Sequence, residues 1–291
     1  METVFVEPDE ITHEVLLDAD ALLIRTRTSC NEALLHDTKV QFIATATIGF
    51  DQIDTNYCES HGIRWTNSPG CNAQGVCDYV ETVLANLAPD PKGHTLGIVG
   101  VGHVGKLVEQ MAKRRGFKVL LCDPPRAEQE GAENFVSLDE IERKCTIITF
   151  HVPLTKSGPY PTWHMETCRH LRPEALIINA ARGGVVDEQA LLQTGNPFVL
   201  DCWENEPQAN PMAIEKAAFA TYHIAGYTRR GKYNASQMVL DALCEHFGFP
   251  KQVLPNRPAE APHIWDIEAV SRELKAQPER FEHLREEYKL R

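Results

Sequence analysis

Thr95-Leu96-Gly97-Ile98-Val99 running into Gly100-Val101-Gly102-His103-Val104-Gly105 decides the fold. Five residues of buried-strand character lead into three glycines spaced GxGxxG, and the residues that follow have helical periodicity. Each glycine has its own physical task. Gly100 permits a tight turn, Gly102 lets the backbone approach a pyrophosphate, and Gly105 lets helix and strand pack closely. The helix N-terminus then offers unpaired N–H groups to phosphate. Any glycine turn between a strand and a helix shows the same letters, so the surroundings must carry the reading. Asp123 supplies part of that context: it ends the next apolar run, 18 residues after Gly105, where a carboxylate accepts from ribose hydroxyls and repels a 2′-phosphate. NAD is therefore expected over NADP. Arg126, three residues further on, is a cation that could neutralise a 2′-phosphate, but beside Asp123 it reads as a surface residue.

Outward from the motif, Val119–Cys122, Thr146–Phe150, Ala175–Ile178 and Phe198–Leu200 are further apolar runs with helical segments between them, the pattern of a doubly wound nucleotide domain. Upstream, Ala21–Arg25, Gln41–Ala46 and Ile63–Thr66 read as strands, with Asn31–Leu35 and Thr55–Ser60 as intervening helices. This lobe has no glycine-rich loop. Gln74–Leu87 and Gly231–Phe247 have helical spacing. The expected fold is α/β, with two Rossmann-like lobes built on parallel sheets and a short C-terminal dimerisation segment. Residues 1–71 and 229–248 would form a substrate domain, 72–228 an NAD-binding domain, and 249–291 the dimerisation segment. With five prolines and dense charge, that tail reads as an appendage and not as core.

The length of 291 residues fits about two domains. A net charge of −12 repels nucleic acid and anionic membrane, so an anionic substrate requires a local cationic pocket. No apolar run approaches the roughly 20 residues of a membrane span. The opening METVFVEPDE lacks the basic and apolar regions of a secretory signal. The nine cysteines, Cys168 among them, are odd in number and include no CxxC pair. They read as reduced thiols packed in a cytoplasmic protein, and no Cys/His spacing suits structural zinc.

Three polar residues lie beyond the glycine motif at the ends of apolar runs, where open α/β sheets place ligands: Arg182, Glu206 and His223. An arginine, a carboxylate and a histidine suit oxidation of a 2-hydroxy acid. The guanidinium grips a carboxylate, the imidazole removes the hydroxyl proton as hydride leaves the carbon, and the third group orients and charges the imidazole. Asp187 reads as a helix N-cap. Arg25, Arg27, Arg229, Arg230 and Lys232 are candidate cations for a substrate phosphate.

In GVGHVG (100–105), NAARGGVVDEQALL (179–192), DCWENEP (201–207) and HIAGYT (223–228), the chain resembles the D-2-hydroxyacid dehydrogenase superfamily over most of its length. IRTRTSCNEALL (24–35), ATATIGFDQID (44–54), SPGCNA (68–73), LLCDPPRA (120–127) and HVPLTKSGPYPT (151–162) are similar to the branch that oxidises 4-phospho-D-erythronate in vitamin B6 biosynthesis. The resemblance implies that Arg182 and Glu206 act in catalysis and that His223 is the proton donor or acceptor. It implies NAD contacts from Gly100, Gly102, His103, Val104, Gly105, Asp123, Val152, Ala180, Ala181, Arg182, Asp201 and Gly226. Thr26, Thr47 and Tyr227 would contact a small phosphorylated 2-hydroxy acid. A homodimer is implied, with no metal, nucleic acid or membrane partner. Against the family pattern, Tyr222 replaces a common proline, and Val152 replaces a hydroxyl residue and contacts the cofactor through its backbone. An opening strand and helix are lacking, and Asn86–Lys92, Gln193–Phe198 and the region after Phe249 are short. Oxidation of 3-phosphoglycerate would use the same three residues. An NAD(H)-sensing binding protein could share the scaffold but has no use for a general base.

Overall fold

The computed structural model of the chain describes residues 2–159, 162, 164 and 170–291. Cys168, and Tyr160 and Pro161 of the 151–162 motif, lie outside the described residues. Two units are present: Met1–Asn72 with Arg229–Glu260, and Ala73–Thr228 with Ala261–Arg291.

In the smaller unit, α1 (His13–Leu16), β1 (Ala21–Ile24), α2 (Glu32–Leu35), β2 (Phe42–Thr45), α3 (Thr55–Ser60) and β3 (Arg64–Thr66) alternate, and the strands pair in parallel in the order β1-β2-β3. Asn31 and Asp54 start α2 and α3 by accepting backbone N–H groups from Leu34 at 3.2 Å and Tyr57 at 2.9 Å. Every residue of β2 is buried because both of its faces are covered. Ile43 packs with Leu22 and Ile24, whereas Phe42 and Ala44 pack with Ala235, Val239 and Leu243 of the 229–247 helix.

The larger unit continues with α4 (Ala73–Leu87), β4 (Thr95–Val99), α5 (His103–Arg115), β5 (Lys118–Cys122), α6 (Pro124–Glu130), α7 (Leu138–Lys144), β6 (Ile147–Phe150), β7 (Leu176–Asn179), α8 (Glu188–Thr194), β8 (Phe198–Leu200), α9 (Pro211–Lys216) and β9 (Phe219–Ala220). Next, α10 (Arg229–Phe247) belongs to the smaller unit, and α11 (Ile267–Ala276) and α12 (Phe281–Glu287) belong to the larger. The six strands form one parallel sheet in the order β5-β4-β6-β7-β8-β9. Alternate residues feed separate cores on its two faces: Ile148, Phe150, Ile177, Phe198 and Leu200 on one, Ile147, Leu176, Ile178 and Val199 on the other. A parallel sheet covered on both sides explains why its strands read as continuous apolar runs. The chain leaves β4 toward β5 and resumes on the opposite side at β6, so the carboxyl ends of β4 and β6 flank the switch point where such sheets bind ligands.

Two expectations differ from the structure. The glycine-motif lobe reads as five strands, yet a sixth, β9, is present. Two residues are too few to show a period of 2, and this edge strand is completed by α11, where Ser271 Oγ accepts the Ala220 N–H at 2.9 Å. The reading of the tail as an appendage is corrected. Leu274 on α11 and Phe281 and Leu284 on α12 are buried in the same core as Phe150 and Ile177. Ile267, Val270 and Leu274 make an apolar stripe that the surrounding charge obscured, and residues 249–260 fall in the smaller unit. Among the described residues, no helix is long and apolar enough to cross a membrane.

Candidate active site

The glycine loop has the steric character its spacing predicts. Gly100 has φ of +86°, and a Cβ there would meet the His151 carbonyl oxygen at 2.6 Å. A Cβ at Gly105 would lie 2.1 Å from the Gly100 carbonyl oxygen, so helix and strand touch backbone to backbone. At Gly102, the N-cap of α5, nothing lies within 4 Å of that position. Two glycines are thus required by the protein itself, while the middle one fronts open space. That is the arrangement a pyrophosphate over the N-terminus of α5 needs, with His103 and Val104 in the first turn.

Asp123 ends β5 and caps α6. Its Oδ1 accepts the Arg126 N–H at 3.1 Å and its Oδ2 accepts the Val101 N–H at 2.7 Å. A carboxylate has about four acceptor positions, which leaves room for ribose hydroxyls. Arg126 is partly exposed and is paired as well. Its Nε and a terminal nitrogen hold Glu130 at 2.8 and 2.5 Å, and another donates to the Val101 carbonyl at 2.9 Å. The helical i,i+4 spacing from Arg126 to Glu130 creates this fork, which commits the guanidinium away from a 2′-phosphate.

Arg182, Glu206 and His223 follow the carboxyl ends of β7, β8 and β9. Buried Asn179 shapes the first of these loops, donating to the Arg182 carbonyl at 2.9 Å and accepting the Ala181 N–H at 3.0 Å. The first two loops touch: a Cβ at Gly183 would overlap the Trp203 carbonyl oxygen at 1.8 Å, and Cys202 Sγ donates to the Ala181 carbonyl at 3.4 Å. Buried Asp201 joins the second loop to the third, accepting from the Thr221 hydroxyl at 2.7 Å and from the N–H groups of Ile224 and Ala225 at 2.8 and 2.9 Å. His223, held by its N–H to the Asp201 carbonyl at 2.8 Å, has φ of +58°, a conformation uncommon outside glycine.

Glu206 faces His223. Its Oε1 accepts the Trp203 N–H at 2.7 Å and its Oε2 lies 2.7 Å from His223 Nδ1. Burial opposes charge on the imidazole, but Cys202 and Glu206 favour it and lift its pKa well above the usual histidine range. Burial also pushes the Cys202 thiol up, leaving it uncharged near neutral pH, so the Glu206 carboxylate is the anion responsible. Donors from Cys202, Glu206 and His223 lie within 4.8 Å of one another. A thiol that donates to a carbonyl is not the thiolate a metal requires.

A family model described as "D-isomer specific 2-hydroxyacid dehydrogenase, NAD binding domain" matches residues 80–225. An erythronate-4-phosphate dehydrogenase of Bacteroides thetaiotaomicron is 44% identical, covering 100% of this chain and 90% of the relative. That of Porphyromonas gingivalis is 40% identical over 97% and 84% of the two chains. The chain belongs to the erythronate-4-phosphate dehydrogenase family. Among solved structures, the NAD+-bound 3-phosphoglycerate dehydrogenase of Entamoeba histolytica matches this erythronate-4-phosphate dehydrogenase family member with a TM-score of 0.69 and 26% identity over 88% of each chain. D-lactate dehydrogenase of Aquifex aeolicus, complexed with NAD and lactic acid, gives a TM-score of 0.65 at 25% identity over 82% and 86%.

The remaining expected contacts divide between the units of this dehydrogenase. In the larger, Val152 follows β6, Ala180 and Ala181 follow β7, and Gly226 and Tyr227 follow β9. Asp201 spends three of its acceptor positions on protein groups. In the smaller, Thr26 is exposed after β1, and Thr47 follows β2 with its hydroxyl donating to the Gly49 carbonyl at 2.7 Å. Gln52, inside the 44–54 motif but given no role by the sequence reading, knits this end together by donating to Thr45 Oγ1 and the Arg25 carbonyl, both at 2.9 Å. Of the candidate cations, Arg25, Arg27 and Arg229 are exposed, while Arg230 is 3.7 Å from Glu260. The Lys232 ammonium is held below its ordinary pKa, first by burial and then by the Arg25 charge.

Asp187 caps α8 as expected, accepting the Ala190 N–H at 3.0 Å. Beside it is a group that sequence reading passed over. Glu188 is 6% exposed, and its Oε1 accepts the Glu204 N–H at 2.5 Å, while Glu204 Oε1 accepts the Glu188 N–H at 3.2 Å. Burial, aided by the neighbouring carboxylates, raises the Glu188 carboxyl from 4.5 to about 7. Its folded-state value exceeds its unfolded one, so the stability tied to its proton is complete below pH 4.5 and is lost as the pH rises to about 7. Glutamine retains the oxygen acceptor without the charge. In Glu188→Gln, thermal or urea unfolding should show a stability gain over wild type that grows from pH 5 to pH 8, reaching at most about 3 kcal/mol. A gain independent of pH would remove the assignment.

Proposed function

We propose that this protein oxidises 4-phospho-D-erythronate to 2-oxo-3-hydroxy-4-phosphobutanoate, the reaction of the family, within pyridoxal phosphate biosynthesis. The hydrogen-bonded Glu206–His223 pair beside the glycine-loop sheet carries this reading. NAD, for which the open face of Gly102 and the Asp123 carboxylate are suited, supplies the hydride acceptor. His223 Nε2 takes the proton of the C2 hydroxyl while the C2 hydrogen departs as hydride, so the C–O bond becomes a carbonyl and the alcohol loses two electrons and two protons, one of the protons within the hydride. Glu206 fixes the ring through Nδ1 and stabilises the imidazolium that results. Arg182 binds the substrate carboxylate, Thr26, Thr47 and Tyr227 are further substrate contacts, and Ala180, Ala181, Asp201 and Gly226 contact the cofactor. The smaller unit is the substrate lobe, the larger the NAD lobe, and the working form is a cytoplasmic homodimer, which light scattering of the purified protein tests.

The deciding assay supplies 4-phosphoerythronate, NAD and a 2-oxo acid that reoxidises any reduced cofactor retained by the protein. Turnover with this substrate above that with 3-phosphoglycerate, and with NAD above NADP, is expected. Preference for 3-phosphoglycerate moves the assignment to another dehydrogenase of the superfamily. NAD binding without turnover of any hydroxy acid moves it to a sensor.

A further inference from the structure

The Glu206 oxygen that meets His223 has a second neighbour. Arg285 on α12 places a terminal guanidinium nitrogen 3.9 Å from Glu206 Oε2, the same atom that lies 2.7 Å from His223 Nδ1. Its other terminal nitrogen holds Glu282 Oε1 at 2.6 Å. The position is built. Phe281 and Leu284, buried in the core of the larger unit, pin the turn of α12 that leads into Arg285, and the Arg285 side chain is only 27% exposed. Nothing in the family motifs calls for a cation here.

We propose that Arg285 is a positioning residue for the Glu206–His223 pair, its guanidinium competing for the shared carboxylate oxygen and limiting how strongly that oxygen retains a proton on the imidazole. This rests on reading the pair as the proton-transfer unit. A cation that shares the Glu206 oxygen with the ring offsets the carboxylate's charge there and disfavours a second positive charge on the neighbouring imidazole. Its presence lowers the pH at which His223 becomes the neutral base. The other titratable groups facing the pair are few. Cys202, on the Glu206 loop, is an uncharged thiol, and the Tyr227 phenol, after β9, neighbours the Arg285 guanidinium. Glu188, on α8, is half protonated near neutrality and acts on Glu206 from its other side. Glu282 shares α12 with Arg285 and tempers its charge. Arg291 packs on the His223 loop and donates to the Ile224 and Ala225 carbonyls, whereas Arg285 is the cation paired with Glu206 among the described residues.

The test is the titration of His223 in the intact protein, followed by histidine side-chain NMR and assigned by its disappearance in His223→Asn. In Arg285→Gln the midpoint should rise by about half to one pH unit, and Arg285→Lys should restore it. Glu282→Gln, on the exposed side of α12, frees the guanidinium toward Glu206 and should lower the midpoint. The pH profile of kcat should move with the NMR midpoint, with KM little changed. An unchanged His223 midpoint in folded Arg285→Gln overturns the proposal. Should Arg285→Gln fail to fold, an unchanged or raised midpoint in Glu282→Gln overturns it equally. The titration needs no substrate, so it stands apart from whether 4-phosphoerythronate is turned over.

Discussion

His223→Asn is expected to lose about 10²–10⁴ in turnover while binding NAD as wild type does. The choice of asparagine follows from the backbone. His223 sits at φ of +58°, where asparagine is several-fold enriched and alanine is strained, so an alanine variant would confound loss of the ring with displacement of the loop that Asp201 anchors. The sign of the pH dependence is fixed by the same geometry. Glu206 lifts the ring's pKa well above its ordinary value, so the imidazolium predominates near neutrality. Oxidation needs the neutral ring, and kcat/KM for the hydroxy acid should rise with pH up to that raised value. Reduction of the 2-oxo acid needs the imidazolium and should fall over the same interval. Glu206→Gln removes the anion and should shift both limbs to lower pH. Wild-type turnover in His223→Asn, or loss of NAD binding in step with turnover, would remove the histidine from proton transfer.

How much of this was legible in the sequence depends on the range over which each feature is specified. The glycine motif and Asp123 lie within one β-α-β unit, where local spacing sets geometry, and the loop positions of Arg182 and Glu206 follow from apolar runs that end before them, whereas the strand before His223 is too short to read. The strands were readable because a sheet covered on both faces selects apolar residues at every position, as at Phe198-Val199-Leu200, all of them buried. The pairing of Arg126 with Glu130 went unread because a cation and its i,i+4 partner can be weighed separately on paper but not on a helix. Asn179 and Gln52 stand inside quoted motifs, yet their roles were not readable there, since an amide that ties a loop together differs in no letter from one that does not. Arg285 was invisible for a further reason. Its contact with Glu206 exists only because Leu274, Phe281 and Leu284 fold a heavily charged tail into the core, a tertiary event that charge density argues against and burial decides.

The glycine loop offers the sharpest separation of fold from function, through two substitutions three residues apart. Gly105→Ala puts a methyl group 2.1 Å from the Gly100 carbonyl oxygen, both atoms belonging to backbone that cannot rotate away. The first turn of α5 must lift off β4, opening the junction at which Ile98 and Val108 are fully buried. Overpacking of this kind costs about 1–3 kcal/mol where side chains can adjust, and more where they cannot. Gly105→Ala should therefore fall at or beyond the upper end of that range in urea unfolding, and lose NAD binding as a consequence. Gly102→Ala is the opposite case. Its methyl group meets nothing within 4 Å, and with φ of −77° only its ψ of −145° lies off the main allowed regions, so the loss in urea unfolding should be about 1 kcal/mol, well below that of Gly105→Ala. That empty space is where the pyrophosphate must approach the N-terminus of α5, and a methyl group there should weaken NAD binding by at least tenfold in calorimetry. Retained affinity in a stable Gly102→Ala would mean that the cofactor does not lie over this turn, whatever the letters of the motif.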